Sequence, residues 1–152
     1  MVINKLDSIE FRLNELHDFT WLKKYGTAFW VVDATGSGCI CIGLEDAERK
    51  YFCKIAGVNT VYAEVSPEES VKILKEAVQL YHDLSHPNLI KIIEEYDYKQ
   101  FYVAVFENEE SNRIAVKAVS PDKCDRYLTF TEFYHEWKKA RGYSSEGEKC
   151  DH

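Results

Sequence analysis

His86-Pro87-Asn88-Leu89-Ile90-Lys91-Ile92 stands between a segment of helical periodicity and two of strand character, so it divides the chain's longest helix from a hairpin. Upstream, Ser66-Pro67-Glu68-Glu69 has the chemistry of a helix start. Ser66 can accept from the free amides of the first turn, Pro67 needs no amide partner there, and Glu69 can close a capping box. Val71, Ile73, Leu74, Ala77, Val78, Leu80, Tyr81 and Leu84 follow at helical spacing, which predicts a helix to about Leu84 with a broad apolar face. Downstream, residues 89–96 and 101–106 read as a hairpin around Asp97-Tyr98-Lys99-Gln100.

Working back towards the N-terminus, three more strand-like runs precede the helix. Residues 27–32 are rich in β-branched and aromatic side chains, Thr35-Gly36-Ser37-Gly38 is a turn, and residues 39–43 run back. Ala47-Glu48-Arg49 then turns the chain into residues 50–56, completing an antiparallel meander. Leu6, Ile9, Leu13 and Leu16 recur at helical spacing and predict an N-terminal helix over residues 4–16. Thr20 is placed to cap a short helix through Tyr25, with Gly26 as its stop.

The expected fold class is α+β: an antiparallel sheet of about five strands, one long helix between strands three and four, and helical extensions at both ends. The organisation expected is a helical extension over 1–26, the sheet-and-helix domain over 27–109, a strand and helix over 110–141, and a tail over 142–152. In the third of these, residues 113–119 read as a strand, and Thr129 or Thr131 would cap a helix through Arg141 whose apolar face is Phe130, Phe133, Tyr134 and Trp137.

Composition narrows the function. The 152 residues are 45% hydrophobic and 14% aromatic, enough for a packed core and too apolar for a disordered chain. The formal charge of −7 repels phosphate backbones, and no basic patch stands out, so nucleic acid is not an expected partner. Charge interrupts the N-terminus too early for a secretory signal, and no apolar run approaches membrane-spanning length. The five cysteines lack metal-ligand spacing, and Cys39 and Cys41 alternate onto one face of a strand, so buried free thiols in the cytoplasm are expected. His17, His82 and His135 are scattered, without evident partners for catalysis.

The order of three strands, a helix, His-Pro-Asn and two further strands, with Lys54 on the third strand, resembles the small lobe of eukaryotic-type serine/threonine protein kinases and their bacterial relatives. The resemblance covers about residues 27–109. It implies a Mg²⁺-ATP site drawn from Gly36, Gly38, Ile40, Lys54, Glu76, Phe106 and Glu107. Gly36 and Gly38 would belong to the glycine-rich loop over the phosphates, with Ile40 just beyond it. Lys54 would be the phosphate lysine and Glu76 its acidic partner on the helix, with Glu69 in reserve. Phe106 would stand at the back of the pocket, and Glu107 would begin the hinge that hydrogen-bonds adenine.

Several residues depart from that pattern. Asp33 and Thr35 stand where the first two glycines belong, and Glu109 stands where an apolar residue normally touches the purine. Phe52 alternates onto the face of Lys54, where the family keeps a small side chain above adenine. Counting back from His86 lands on Ala77, one residue and about 100° of helix away from Glu76. Neither His-Arg-Asp nor Asp-Phe-Gly occurs in the chain, and phosphoryl transfer depends on both. The ordinary readings remain open beside the functional ones: a Gly-Ser-Gly turn, a solvated strand lysine and a solvated helix face.

The expected function is therefore a non-catalytic, pseudokinase-like or truncated kinase-like domain that binds a protein partner or a second copy. The alternative is the ATP-binding half of a kinase that needs another lobe for transfer. An unrelated small α+β enzyme is a third possibility, one that would require paired histidines or carboxylates in a cleft.

Overall fold

The computed structural model describes residues 1–84 and 90–107, together with His135. Met1–Glu107 and Asn108–His152 are separate units, and the first is the one described below. His86-Pro87-Asn88, the strand expected over 113–119, the helix expected to end at Arg141 and the tail all lie outside the described residues.

The chain opens with two short strands, β1 (Val2–Leu6) and β2 (Ile9–Leu13), where an N-terminal helix over 4–16 was expected. Leu6 pairs with Ile9, so Asp7 and Ser8 alone make the turn, and Asp7 takes the positive φ (53°) that a tight hairpin requires. The correction has a simple cause: the spacing of Leu6, Ile9 and Leu13 fits a helix, but it also fits two alternating strands broken by a turn. Phe11 decides between them, because it is buried beside Leu13, whereas Leu16 is exposed. A 3₁₀ helix, Thr20–Tyr25, follows and stops at Gly26 as expected. Its first turn is held by the Asp18 carboxylate, which accepts from the Thr20 N–H (2.9 Å), so the cap is not Thr20 itself.

The main sheet contains β3 (Thr27–Val32), β4 (Cys39–Glu45), β5 (Lys50–Ala56), β6 (Ile92–Tyr98) and β7 (Phe101–Glu107). All neighbours are antiparallel, in the order β3-β4-β5-β7-β6. Asp46 builds the β4–β5 turn, its carboxylate accepting from the Glu48 and Arg49 amides. The helix α1 (Pro67–Asp83) joins β5 to the edge strand β6, with Ser66 accepting from the Glu69 N–H as its cap.

The sheet buries both faces. On one, Leu6, Phe11, Leu13, Phe19 and Leu22 from the hairpin and 3₁₀ helix pack on Ile40, Ile42, Leu44, Ile55, Val103 and Val105. On the other, Leu74 and Val78 of α1 pack on Cys39, Ala56, Tyr102 and Ala104. Burial of a Leu or Val contributes about 1.5–3 kcal/mol each, so both coverings anchor firmly. The N-terminal residues thus do structural work on the sheet. Gly26 shows how closely they approach: a Cβ there would lie 2.0 Å from the Glu45 carbonyl oxygen.

Candidate functional site

The face of the sheet that meets α1 carries Lys54. Register decides this, because Cys41, Lys54 and Ala104 are cross-strand partners and side chains of partners share a face. Lys54 is half-buried, and no carboxylate among the described residues lies within ion-pair distance of it. Its near neighbours include two thiols. Burial raises the pKa of Cys39 and pushes Cys41 up to about 12, while the Lys54 charge opposes both shifts. These are neutral, inert sulfurs at physiological pH.

Beside Lys54 runs a row of four rings. Trp30 meets Phe52 edge-on (5.8 Å between centroids), Phe52 meets Phe106 at 5.7 Å, and Phe106 meets Tyr81 of α1 at 5.9 Å. The Tyr81 hydroxyl donates to the Ile90 carbonyl. Phe52 and Phe106 are direct cross-strand partners. Sequence reading foresaw Phe52 here but missed Trp30. A bulge between Ala28 and Trp30 shifts the β3 register, so simple alternation from the start of the strand misplaces Trp30. The Phe29 ring lies on Gly43, where a Cβ would come within 2.7 Å of it.

The glycine turn does not stand free. Gly38 is buried with φ of 72°, and a Cβ on it would lie 2.9 Å from the Ser70 Cβ and 3.3 Å from Val65. Ser70 is itself fully buried and ties α1 to the chain leaving β5: its hydroxyl donates to the Pro67 carbonyl (2.8 Å) and accepts from the Gly57 N–H (2.9 Å). Gly36 is exposed, its carbonyl accepting from the Glu64 N–H (3.0 Å), with the Glu64 side chain beside it. The close approach that glycine permits is therefore used by the first turn of α1. The Glu64 carboxylate puts negative charge beside the turn, which disfavours a phosphate, whereas the Asp33 carboxylate is engaged with β2, accepting from the Arg12 N–H (2.6 Å).

Two other expected site residues are not brought to Lys54. Ile40 pairs with Ile55 and is fully buried in the opposite core, so it cannot touch a ligand on the Lys54 face. The kinase resemblance implied it, but strand alternation puts Cys39 and Cys41 on the site face instead. Glu76 is exposed and lies roughly 200° around α1 from the sheet-facing Leu74. It points to solvent and makes no ion pair among the described residues. Phe106 is in the ring row, and the Glu107 N–H is taken by the Lys91 carbonyl (3.0 Å).

Polar clusters elsewhere on the sheet serve structure. On the far face, the Glu94 carboxylate accepts from the Tyr25 hydroxyl and from Lys24 Nζ (3.0 Å), and Tyr25 touches the Tyr96 hydroxyl (3.1 Å). On the helix face, Lys75 pairs with Asp97 (2.6 Å) and His82 with Glu95 (2.5 Å), fastening α1 to β6. His82 thus has a partner that sequence did not reveal. His17 lies in the loop after β2, with its ring edge-on to Phe19 and Phe101. Among the described residues there is no metal-ligating cluster, and no helix is long and apolar enough to cross a membrane.

Chemically, the part of this face around Lys54 offers, among the described residues, one ammonium group, aromatic surface and two neutral thiols. The acid–base pair on the same face, His82–Glu95, is spent joining α1 to β6, so the surroundings of Lys54 suit binding better than proton transfer. No protein-family model matches the chain, and no curated protein matches it as a relative.

Proposed function

We propose that this chain is a kinase small-lobe-like scaffold that works by binding protein, without transferring phosphate. The strand order, with α1 joining the third and fourth strands of the sheet and Lys54 on the third, supports the kinase-like part of the reading. One observation carries the non-catalytic part: the Phe52 ring lies between Trp30 and Phe106 on the Lys54 face, in the space a purine would need. The outward Glu76 and the packed Gly38 point the same way. Free thiols at Cys39, Cys41 and Cys53 suit a reducing cytoplasm.

The half-buried Lys54, free of acidic partners among the described residues, favours the second reading, an ATP-binding half of a kinase. Melting the full chain with and without excess Mg²⁺-ATP, beside Lys54→Ala, separates the two. Ligand at a hundred times its Kd would add about 2.7 kcal/mol of stability, a shift of several degrees. The scaffold reading expects no shift. A shift abolished by Lys54→Ala would replace it with the ATP-binding half.

A further inference from the structure

The apolar face of α1 is wider than the sheet that covers it. Ser70, Leu74 and Val78 are buried, yet Ile73 (43% exposed), Ala77, Leu80 (65%) and Leu84 (62%) form an adjoining stripe left open among the described residues. The stripe has helical spacing of i, i+4, i+7 and i+11, so it is continuous along the helix. Its outer border is a row seven residues apart: Glu69, Glu76 and Asp83. None of these carboxylates is ion-paired among the described residues, whereas Lys75 and His82, on another side of the helix, are both paired to β6.

We propose that this stripe docks an amphipathic helix of a partner protein whose apolar face is flanked by basic residues. An acidic row bordering an apolar stripe selects charge of the opposite sign at the rim, while the stripe supplies the buried contact. A second copy is the poorer occupant. In an antiparallel pair of like helices, each flank meets the same flank of its partner, so Glu69, Glu76 and Asp83 would face their own duplicates. The inference rests on the protein-binding reading above and names the surface and the chemistry of the partner.

The test uses two synthetic amphipathic helical peptides with the same leucine stripe, one flanked by lysine and one by glutamate. Fluorescence anisotropy measures their binding to the full chain. The lysine peptide is expected to bind about tenfold more tightly, the scale of a few exposed ion pairs, with the preference shrinking as salt is raised. Leu80→Glu should abolish binding, and because Leu80 is exposed the variant should keep its circular dichroism spectrum. Glu69→Lys/Glu76→Lys/Asp83→Lys should invert the preference. Equal binding of both peptides, or binding of neither, overturns the proposal. So does a concentration-dependent dimer, seen by sedimentation, that Leu80→Glu dissolves. Failure here with no Mg²⁺-ATP stabilisation would leave the scaffold reading standing on another surface, whereas stabilisation by Mg²⁺-ATP would strike that reading itself.

Discussion

Ser70→Ala tests the claim that a buried hydroxyl anchors the first turn of α1 to the chain leaving β5 at Gly57. The hydroxyl accepts from the Gly57 N–H (2.9 Å) and donates to the Pro67 carbonyl (2.8 Å), in a position with no solvent exposure. Removing it leaves the buried Gly57 amide without an acceptor, at a cost of about 1–3 kcal/mol, whereas the lost Pro67 contact adds little to a carbonyl already inside a helix. We expect a loss of about 2 kcal/mol, or about 4–8 °C in Tm. Urea unfolding should show a lower midpoint with an unchanged m-value. Ser66→Ala is the control: it removes an exposed cap from the Glu69 amide (3.1 Å) and should cost about 1 kcal/mol. A Ser70→Ala change within about 0.5 kcal/mol of wild type, or smaller than that of Ser66→Ala, would refute this anchoring of α1 at Gly57.

Other expectations follow from single contacts. Gly26→Ala should cost about 3 kcal/mol or more, because Gly26 has φ of 113° and its new Cβ would strike the Glu45 backbone; melting of the purified variant checks it. The Tyr25 hydroxyl bond holds the Glu94 carboxyl below its ordinary pKa, so the unfolded chain binds more protons through the window beneath that ordinary value. Stability from this bond is therefore full above the window and lost as pH falls through the depressed folded pKa, and Glu94→Gln should flatten the acid limb of a stability–pH profile. Burial pushes Cys41 and Cys53 up to about 12, so a short iodoacetamide pulse should label them only on unfolding, as read by mass spectrometry.

The parts of the fold that were legible in sequence carry punctuation. Ser66-Pro67 marks the start of α1, Gly26 stops the 3₁₀ helix, and Ala47-Glu48-Arg49 and Asp97-Tyr98-Lys99-Gln100 mark turns, the second narrowed by the observed pairing of Tyr98 with Phe101 to Lys99-Gln100. The N-terminal hairpin was misread because its turn, Asp7-Ser8, lacks glycine and its leucines happen to fall at helical intervals. At the candidate site, Lys54 and Phe52 were placed correctly because strand alternation needs no knowledge of neighbours. The alternation that puts Cys39 and Cys41 on one face already sends Ile40 to the core, so Ile40 did not belong among the site residues; Glu76 was misplaced because its direction depends on the rotation and register of α1 over the sheet. Those quantities are set by tertiary packing, here by Leu74 and Val78 seating on Tyr102 and Ala104. Trp30 was hidden by a bulge that sequence alternation does not reveal.

The most direct test of the central claim is a two-dimensional amide NMR titration of the full chain with Mg²⁺-ATP. No saturable shifts are expected at Gly38, Lys54 or Glu107, because Phe52 and Phe106 fill the face beside the lysine. Saturable shifts clustered at those three amides would contradict it and establish a nucleotide site.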